Sequence, residues 1–157
     1  MEIKMKAIIF SDSHRSFAPM VKAMDAEKDT NQIIHAGDVY SDVEDLEIMY
    51  PRIPIAAVKG NNDWLLHSVP EERVFELGGV KILLTHGHNY GVKHSLSKLL
   101  QRAASLGADL AIFGHTHTPY LEKTGSVTLF NPGPATQGYG VFEGSDGKFE
   151  VRHQKLP

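Results

Sequence analysis

The sequence has no cysteine. Disulfides, thiolate zinc sites and a cysteine nucleophile are excluded together, so any bound metal must draw on nitrogen and oxygen ligands. Long hydrophobic runs are missing too. The opening stretch from Met1 to Phe10 carries Lys4 and Lys6 and runs into the polar Ser11-Asp12-Ser13, far too soon for a secretory core or a membrane-spanning helix. The expectation is a cytoplasmic protein with no membrane partner. Nor does one sign of charge prevail. A net charge of -3 argues against holding nucleic acid through bulk charge and leaves nucleic acid a place only as a substrate. There is no Walker loop, no Gly-x-Gly-x-x-Gly after a strand, no His-Glu-x-x-His and no Pro-Cys-x-x-Cys, so nucleotide cofactors and the zinc peptidase or deaminase classes are not indicated.

What is present is an ordinary globular composition, 157 residues with 41% hydrophobic and 22% charged side chains. That length suits a single domain over residues 1–157 that buries about two-thirds of its unfolded surface. No linker, low-complexity tract or global repeat divides it. The 9 histidines stand out against an acidic background.

Taken along the chain, apolar runs end abruptly in polar loops. Residues 5–10 predict a buried strand that stops at Ser11-Asp12-Ser13-His14. Ser16 can then cap a helix with Phe17, Met20, Val21 and Met24 on one face and Pro19 in its first turn. The unit recurs. Gln32 to Ala36 gives way to Gly37-Asp38 and a helix carrying Val43, Leu46 and Tyr50, and Ile55 to Val58 ends at Lys59-Gly60-Asn61-Asn62-Asp63. Residues 73–77 and 80–85 predict a hairpin through Gly78-Gly79 that runs into His86-Gly87-His88. A helix with Leu96, Leu99, Leu100 and Ala103 stops near Gly107, and Ala108 to Phe113 forms the strand that delivers Gly114-His115-Thr116-His117. Three or four short strands follow between Tyr120 and Val151.

Five strand ends therefore present Asp12 and His14, Asp38, Asn61, His86, and His115 with His117. Side chains at the carboxyl ends of such strands sit where open α/β sheets place their ligands. The seven nitrogen and oxygen donors exceed what one ion uses once it keeps a water. Two ions about 4 Å apart can share a carboxylate and a bridging hydroxide. Asp38, alone in its loop, is the natural bridge, and the hydroxide would serve as the nucleophile on phosphorus.

The blocks Asp-x-His, Gly-Asp, Gly-Asn-x-Asp, His-Gly-His and Gly-His-x-His follow in order between Asp12 and His117. In this the chain resembles the calcineurin-like metallophosphoesterases, and its short length is most similar to their small bacterial and archaeal phosphodiesterase branch. The resemblance implies an α/β fold, a four-layer α/β/β/α sandwich of two mixed sheets flanked by helices. It implies one metal on Asp12, His14, Asp38 and His117, and a second on Asp38, Asn61, His86 and His115. Two departures are specific. Asn62 stands where many members carry a histidine that gives the leaving group its proton, which leaves His88 as a weaker candidate acid beside Asn61 in the catalytic set. Pro134 stands where a serine is expected after Asn131-Pro132-Gly133, with no arginine nearby, so that turn is not expected to anchor substrate.

The expected activity is hydrolysis of a small phosphate ester, a phosphodiester first and a phosphomonoester as the alternative. Manganese is the expected metal, with iron, nickel or zinc also accepted by imidazole and carboxylate ligands. A homo-oligomer is compatible with the sequence. The rival reading is a protein-interaction scaffold on the same fold, as in a family relative of the endosomal retromer coat. Completeness of the ligand set weighs against it. Of the remaining histidines, His35 reads as a packed or supporting group, and His67, His94 and His153 as surface. Asp63 could orient the Asn61 loop or serve as a plain turn carboxylate. Trp64 and Tyr90 read as packing residues beside the metals.

Overall fold

A computed structural model describes residues 4–157 apart from Trp64 and His67. The expectations for those two side chains lie outside the described residues. Among the described residues the chain forms ten strands and three α-helices. The strands are β1 (Met5–Phe10), β2 (Gln32–His35), β3 (Ile55–Ala57), β4 (Glu72–Leu77), β5 (Val80–Thr85), β6 (Leu110–Ile112), β7 (Tyr120–Thr124), β8 (Val127–Asn131), β9 (Gly138–Ser145) and β10 (Lys148–Lys155). The helices are α1 (Phe17–Ala26), α2 (Ser41–Met49) and α3 (Ser97–Ser105). The tail thus holds four strands.

Two five-stranded sheets result, in the orders β10-β9-β1-β2-β3 and β4-β5-β6-β8-β7. In the first, β1, β2 and β3 run parallel and β9 antiparallel to β1. In the second, β5, β6 and β8 run parallel between the antiparallel edges β4 and β7. The period of two along each strand sorts the side chains into layers. Ala7 and Ile9 of β1 meet Ile82 and Leu84 of β5 and Leu110 and Ile112 of β6 between the sheets. Ile8 and Phe10 turn the other way, onto Met20, Ala23 and Met24 of α1 and Leu46 of α2. On the far side Leu83, Ala111 and Phe113 pack on Leu99 and Ala103 of α3. The layers run helix, sheet, sheet, helix, as the fold expectation had it.

One local expectation differs. Ser16 occupies the cap position of α1, but its side chain makes no capping bond, and its φ of -94° and ψ of 80° depart from the extended geometry a capping hydroxyl requires. Its backbone N–H donates instead to the Ser13 carbonyl at 2.8 Å. That turn belongs to the loop following β1, and the loop's shape is set by the site it serves.

No described helix is long and apolar enough to cross a membrane.

Candidate metal centre

All the parallel strands point their carboxyl ends toward one rim, and the loops leaving them are held in backbone conformations that side chains avoid. Of the eight non-glycine residues with positive φ among the described residues, six lie here: Asp12, His14, Arg15, Val39, His115 and His117. A left-handed backbone costs roughly 1–3 kcal/mol at each non-glycine residue and persists only where the surroundings over-determine it. At Val39, with φ of 62°, the β-branch makes the geometry costlier still. Two glycines permit the close approach. A Cβ on Gly60 would stand 1.9 Å from Asp38 Oδ1, and one on Gly114 would stand 2.0 Å from Ser11 Oγ and 2.8 Å from Asp12 Oδ2.

Seven sequence-predicted donors are brought together. Asp12 Oδ1 lies 3.2 Å from His117 Nε2 and 3.8 Å from both His14 Nε2 and His86 Nε2. His14 and His117 approach each other to 3.3 Å between Nε2 atoms. Next to them, Asn61 Oδ1 lies 3.0 Å from His86 Nε2 and 3.1 Å from His115 Nδ1, with Asp38 Oδ2 3.7 Å from His86 Nε2. Two groups close enough to hold an ion emerge among the described residues: Asp12 with His14 and His117, and Asp12 with Asp38 and His86. The carboxylate common to both is Asp12, whereas both Asp38 oxygens accept bonds from Asn62, from its backbone N–H at 2.9 Å and its side-chain amide at 2.6 Å.

The donor set fits a divalent cation on two observations. Asp12 Oδ1 is buried and has no hydrogen-bond partner, while its other oxygen accepts from the Ser11 hydroxyl at 2.6 Å and the His115 N–H at 3.1 Å. An orphaned carboxylate oxygen costs several kcal/mol unless a cation compensates it. His86 donates its Nδ1–H to the Ala36 carbonyl at 2.7 Å, so the neutral form of the ring turns the Nε2 lone pair toward Asn61, Asp12 and Asp38.

The electrostatics agree. Burial, with the nearby His86 adding to it, pushes His115 down to about 4. The same causes hold His88 below the ordinary imidazole value. Both are neutral near pH 7, the form that metal ligation requires. His88 stands behind the donors, its ring 5.5 Å from that of His86 and 6.1 Å from that of His115, and its Nδ1 is buried without a partner.

A supporting layer fixes the donors. His35 is wholly buried, and burial pushes it down to about 3. Its Nδ1 accepts from the Gly37 N–H at 3.1 Å, so Nε2 carries the proton and donates to Ser13 Oγ at 3.0 Å. Ser13 in turn donates to Asp42 Oδ2 at 2.6 Å, which also takes the Arg15 N–H at 2.8 Å. This chain links the loops after β1 and β2 to the first turn of α2. Asp63 accepts the Tyr40 N–H at 2.8 Å and the Gly60 N–H at 2.9 Å, tying the Asn61 loop to the Asp38 loop. Asn131, at the end of β8, donates to the Gly114 carbonyl at 3.2 Å and Thr116 Oγ1 at 3.0 Å. The turn after it accordingly serves the backbone: Ala135 N–H donates to the Ser11 carbonyl at 2.9 Å.

Sequence reading missed Asn62, Ser11, Ser13, Asp42 and Asn131 as positioning groups. Asn62, Ser11 and Ser13 left a trace as polar residues beside a donor, and Asn131 as a polar residue at a strand end. His153 is exposed, as expected, and its ring also donates Nε2–H to the Asn131 carbonyl at 2.7 Å and stacks on Phe130 at 4.6 Å between ring centroids. Tyr90 packs beneath α3 as expected and also bonds Glu72, which Arg102 pairs at 2.7 Å.

Known proteins resemble this chain in sequence and fold. The family model for the calcineurin-like phosphoesterase superfamily domain matches residues 5–146. The probable metallophosphoesterase YsnB of Bacillus subtilis is 38% identical over 133 residues, covering 82% of this chain and 74% of that protein. The phosphodiesterase MJ0936 of Methanocaldococcus jannaschii is 32% identical over 146 residues, covering 82% and 83% respectively. A Streptococcus pneumoniae protein described as a predicted phosphoesterase superposes with a TM-score of 0.81 at 29% identity, over 98% of this chain and 91% of that one.

Proposed function

The chain belongs to the calcineurin-like phosphoesterase superfamily, a family of metal-dependent hydrolases, and from that premise we propose that it is a dinuclear phosphodiesterase. The observation that carries the reading is the buried Asp12 Oδ1, which lacks a partner and stands within 3.8 Å of three imidazole nitrogens. The family resemblance divides the donors into Asp12, His14, Asp38 and His117 for one divalent cation and Asp38, Asn61, His86 and His115 for the other, and the spacing of the side chains adds Asp12 as the carboxylate within reach of both. When bound, two such ions lower the pKa of a coordinated water and neutralise charge on a phosphoryl oxygen.

The chain's own groups then have distinct tasks. Asn62 holds Asp38 through two hydrogen bonds, and Ser11 and the His115 amide fix Asp12. The Ala36 carbonyl keeps the His86 lone pair turned inward. His88, whose ring stands 5.5 Å from that of His86 and 6.1 Å from that of His115, would be the candidate acid that moves a proton toward the leaving oxygen. Its acid form is scarce at neutral pH because burial holds it down, so it aids poor leaving groups more than good ones. In line with this, His88→Ala is expected to slow an alkyl-arm diester more than a 4-nitrophenyl diester. Equal losses on both would remove His88 from proton transfer.

The diester preference draws on the likeness to a phosphodiesterase, and manganese is the preferred ion among those that imidazole and carboxylate accept. A protein-interaction scaffold has no use for seven converging donors. The test is hydrolysis of bis(4-nitrophenyl) phosphate beside 4-nitrophenyl phosphate by protein stripped and reloaded with manganese. Metal-dependent turnover that favours the diester and is lost in Asp38→Asn is the expected result. A monoester preference would change the class, and absence of turnover in folded, metal-loaded protein would favour the scaffold.

A further inference from the structure

Beside His14 and Asn62, on the α2 side of the metal centre, a cavity of about 550 Å3 opens to solvent, and its walls include Arg15, Tyr40, Glu44 and Leu66. It is large enough for a nucleoside-sized group. Three observations single out Arg15. Its backbone sits at φ of 67°, a conformation with a steric cost that Asp42 maintains by accepting its N–H. Its guanidinium has no hydrogen-bond or ion-pair partner among the described residues, whereas Arg73, Arg102 and Arg152 each have one, and Arg52, also without one, is not on this wall. And it shares its cavity wall with His14, its chain neighbour and a donor of the metal centre, so the cavity that adjoins the donors has Arg15 on its wall.

The rest of the wall decides what ester arm would suit it. Tyr40 and Leu66 offer apolar faces for a ring. Asp63, also on the wall, has both oxygens engaged by the backbone amides of Tyr40 and Gly60, so it does not pair with the arginine. Glu44 is exposed, as Arg15 is, and no ion pair among the described residues joins them, so solvent screens both alike. The guanidinium fork is the positive charge that the cavity offers a ligand, and it matches phosphate geometry.

Resting on the phosphodiesterase reading, we propose that Arg15 is a specificity-determining residue, selecting diesters whose ester arm carries a second phosphate. The enzyme would act on phosphodiesters that end in an additional phosphomonoester, in preference to those with a neutral arm. No further chemical step is involved, since the second phosphate is bound and not cleaved.

A matched chromogenic pair tests this: thymidine 5′-(4-nitrophenyl phosphate) and the same compound bearing a 3′-phosphate, on manganese-loaded protein. The readout is the ratio of kcat/KM values. One charge-assisted contact at an exposed site predicts a ratio of up to about tenfold in favour of the 3′-phosphate. Arg15→Gly removes the guanidinium while suiting the positive φ, and should bring the ratio near one. Arg15→Lys keeps the charge and should retain part of it. Thymidine 3′,5′-bisphosphate should inhibit the native enzyme about tenfold more tightly than Arg15→Gly. A native ratio near one, or a high ratio that survives in Arg15→Gly, overturns the inference and leaves the phosphodiesterase intact. An equal loss on both substrates in Arg15→Gly also overturns it, since Arg15 would then act through the loop. If neither compound is hydrolysed in a metal-dependent way, the phosphodiesterase reading itself fails and the inference falls with it.

Discussion

Asn62 illustrates how one side chain can be legible in the sequence and its task not. As an amide it cannot give up a proton, which the sequence alone says. Its two bonds to Asp38, at 2.9 and 2.6 Å, come from a fold that lays the loop after β3 across the loop after β2. Groups that orient metal ligands typically carry a 10- to 100-fold effect on affinity or activity. Asn62→Ala is therefore expected to lose about 10- to 100-fold in metal-dependent turnover with little change in unfolding temperature, and a loss below threefold would show that Asp38 needs no clamp. His35 gives a pH signature. Its folded value of about 3 lies below the 6.5 of an unperturbed imidazole, so between these limits the unfolded chain takes a proton that the folded chain refuses. The stability it contributes is complete above about pH 6.5 and is lost as the pH falls toward 3, by about 1.4 kcal/mol per pH unit. In metal-stripped protein His35→Gln should flatten the denaturant-derived stability between pH 4 and 6. An unchanged slope would contradict the neutral, buried assignment.

At the scale of elements, the alternation of apolar run and polar loop made β1, β2, β3, β5 and β6 readable, because a strand buried on both faces leaves a continuous hydrophobic run. The hairpin of β4 and β5 was equally plain, through its paired glycines. What the sequence could not disclose was the cross-linking of the loops, which depends on pairings between residues 15 or more positions apart, such as Ser13 with Asp42 and Asn131 with Thr116. The failed cap at Ser16 has the same origin: a strained loop overrode a local preference. Close approach of the loops after β1 and β6 rests on Gly114, whose absent Cβ leaves room for Ser11 Oγ. Gly114→Ala should push these loops apart, weakening manganese binding by at least about tenfold in equilibrium dialysis. Retention of native affinity would mean that the loops have slack.

Across the whole molecule, two sheets packed face to face bring five loops to one rim, and their donors belong to segments more than 100 residues apart, such as His14 and His117. The seven donors were named from sequence because each follows an apolar run. Their division between two ions came from the family resemblance, with Asp38 in both sets, and the geometry adds that Asp12 is the carboxylate common to both ion-holding groups. The central claim is that these strand ends together hold two divalent ions and that hydrolysis of a phosphodiester needs both. The most direct measurement is turnover of bis(4-nitrophenyl) phosphate in samples whose bound manganese per chain is determined by elemental analysis as stripped protein is titrated. The account predicts two ions per chain at saturation, with turnover rising mainly as the second is bound. Full turnover in metal-free protein, or none in folded protein carrying two ions, would contradict it.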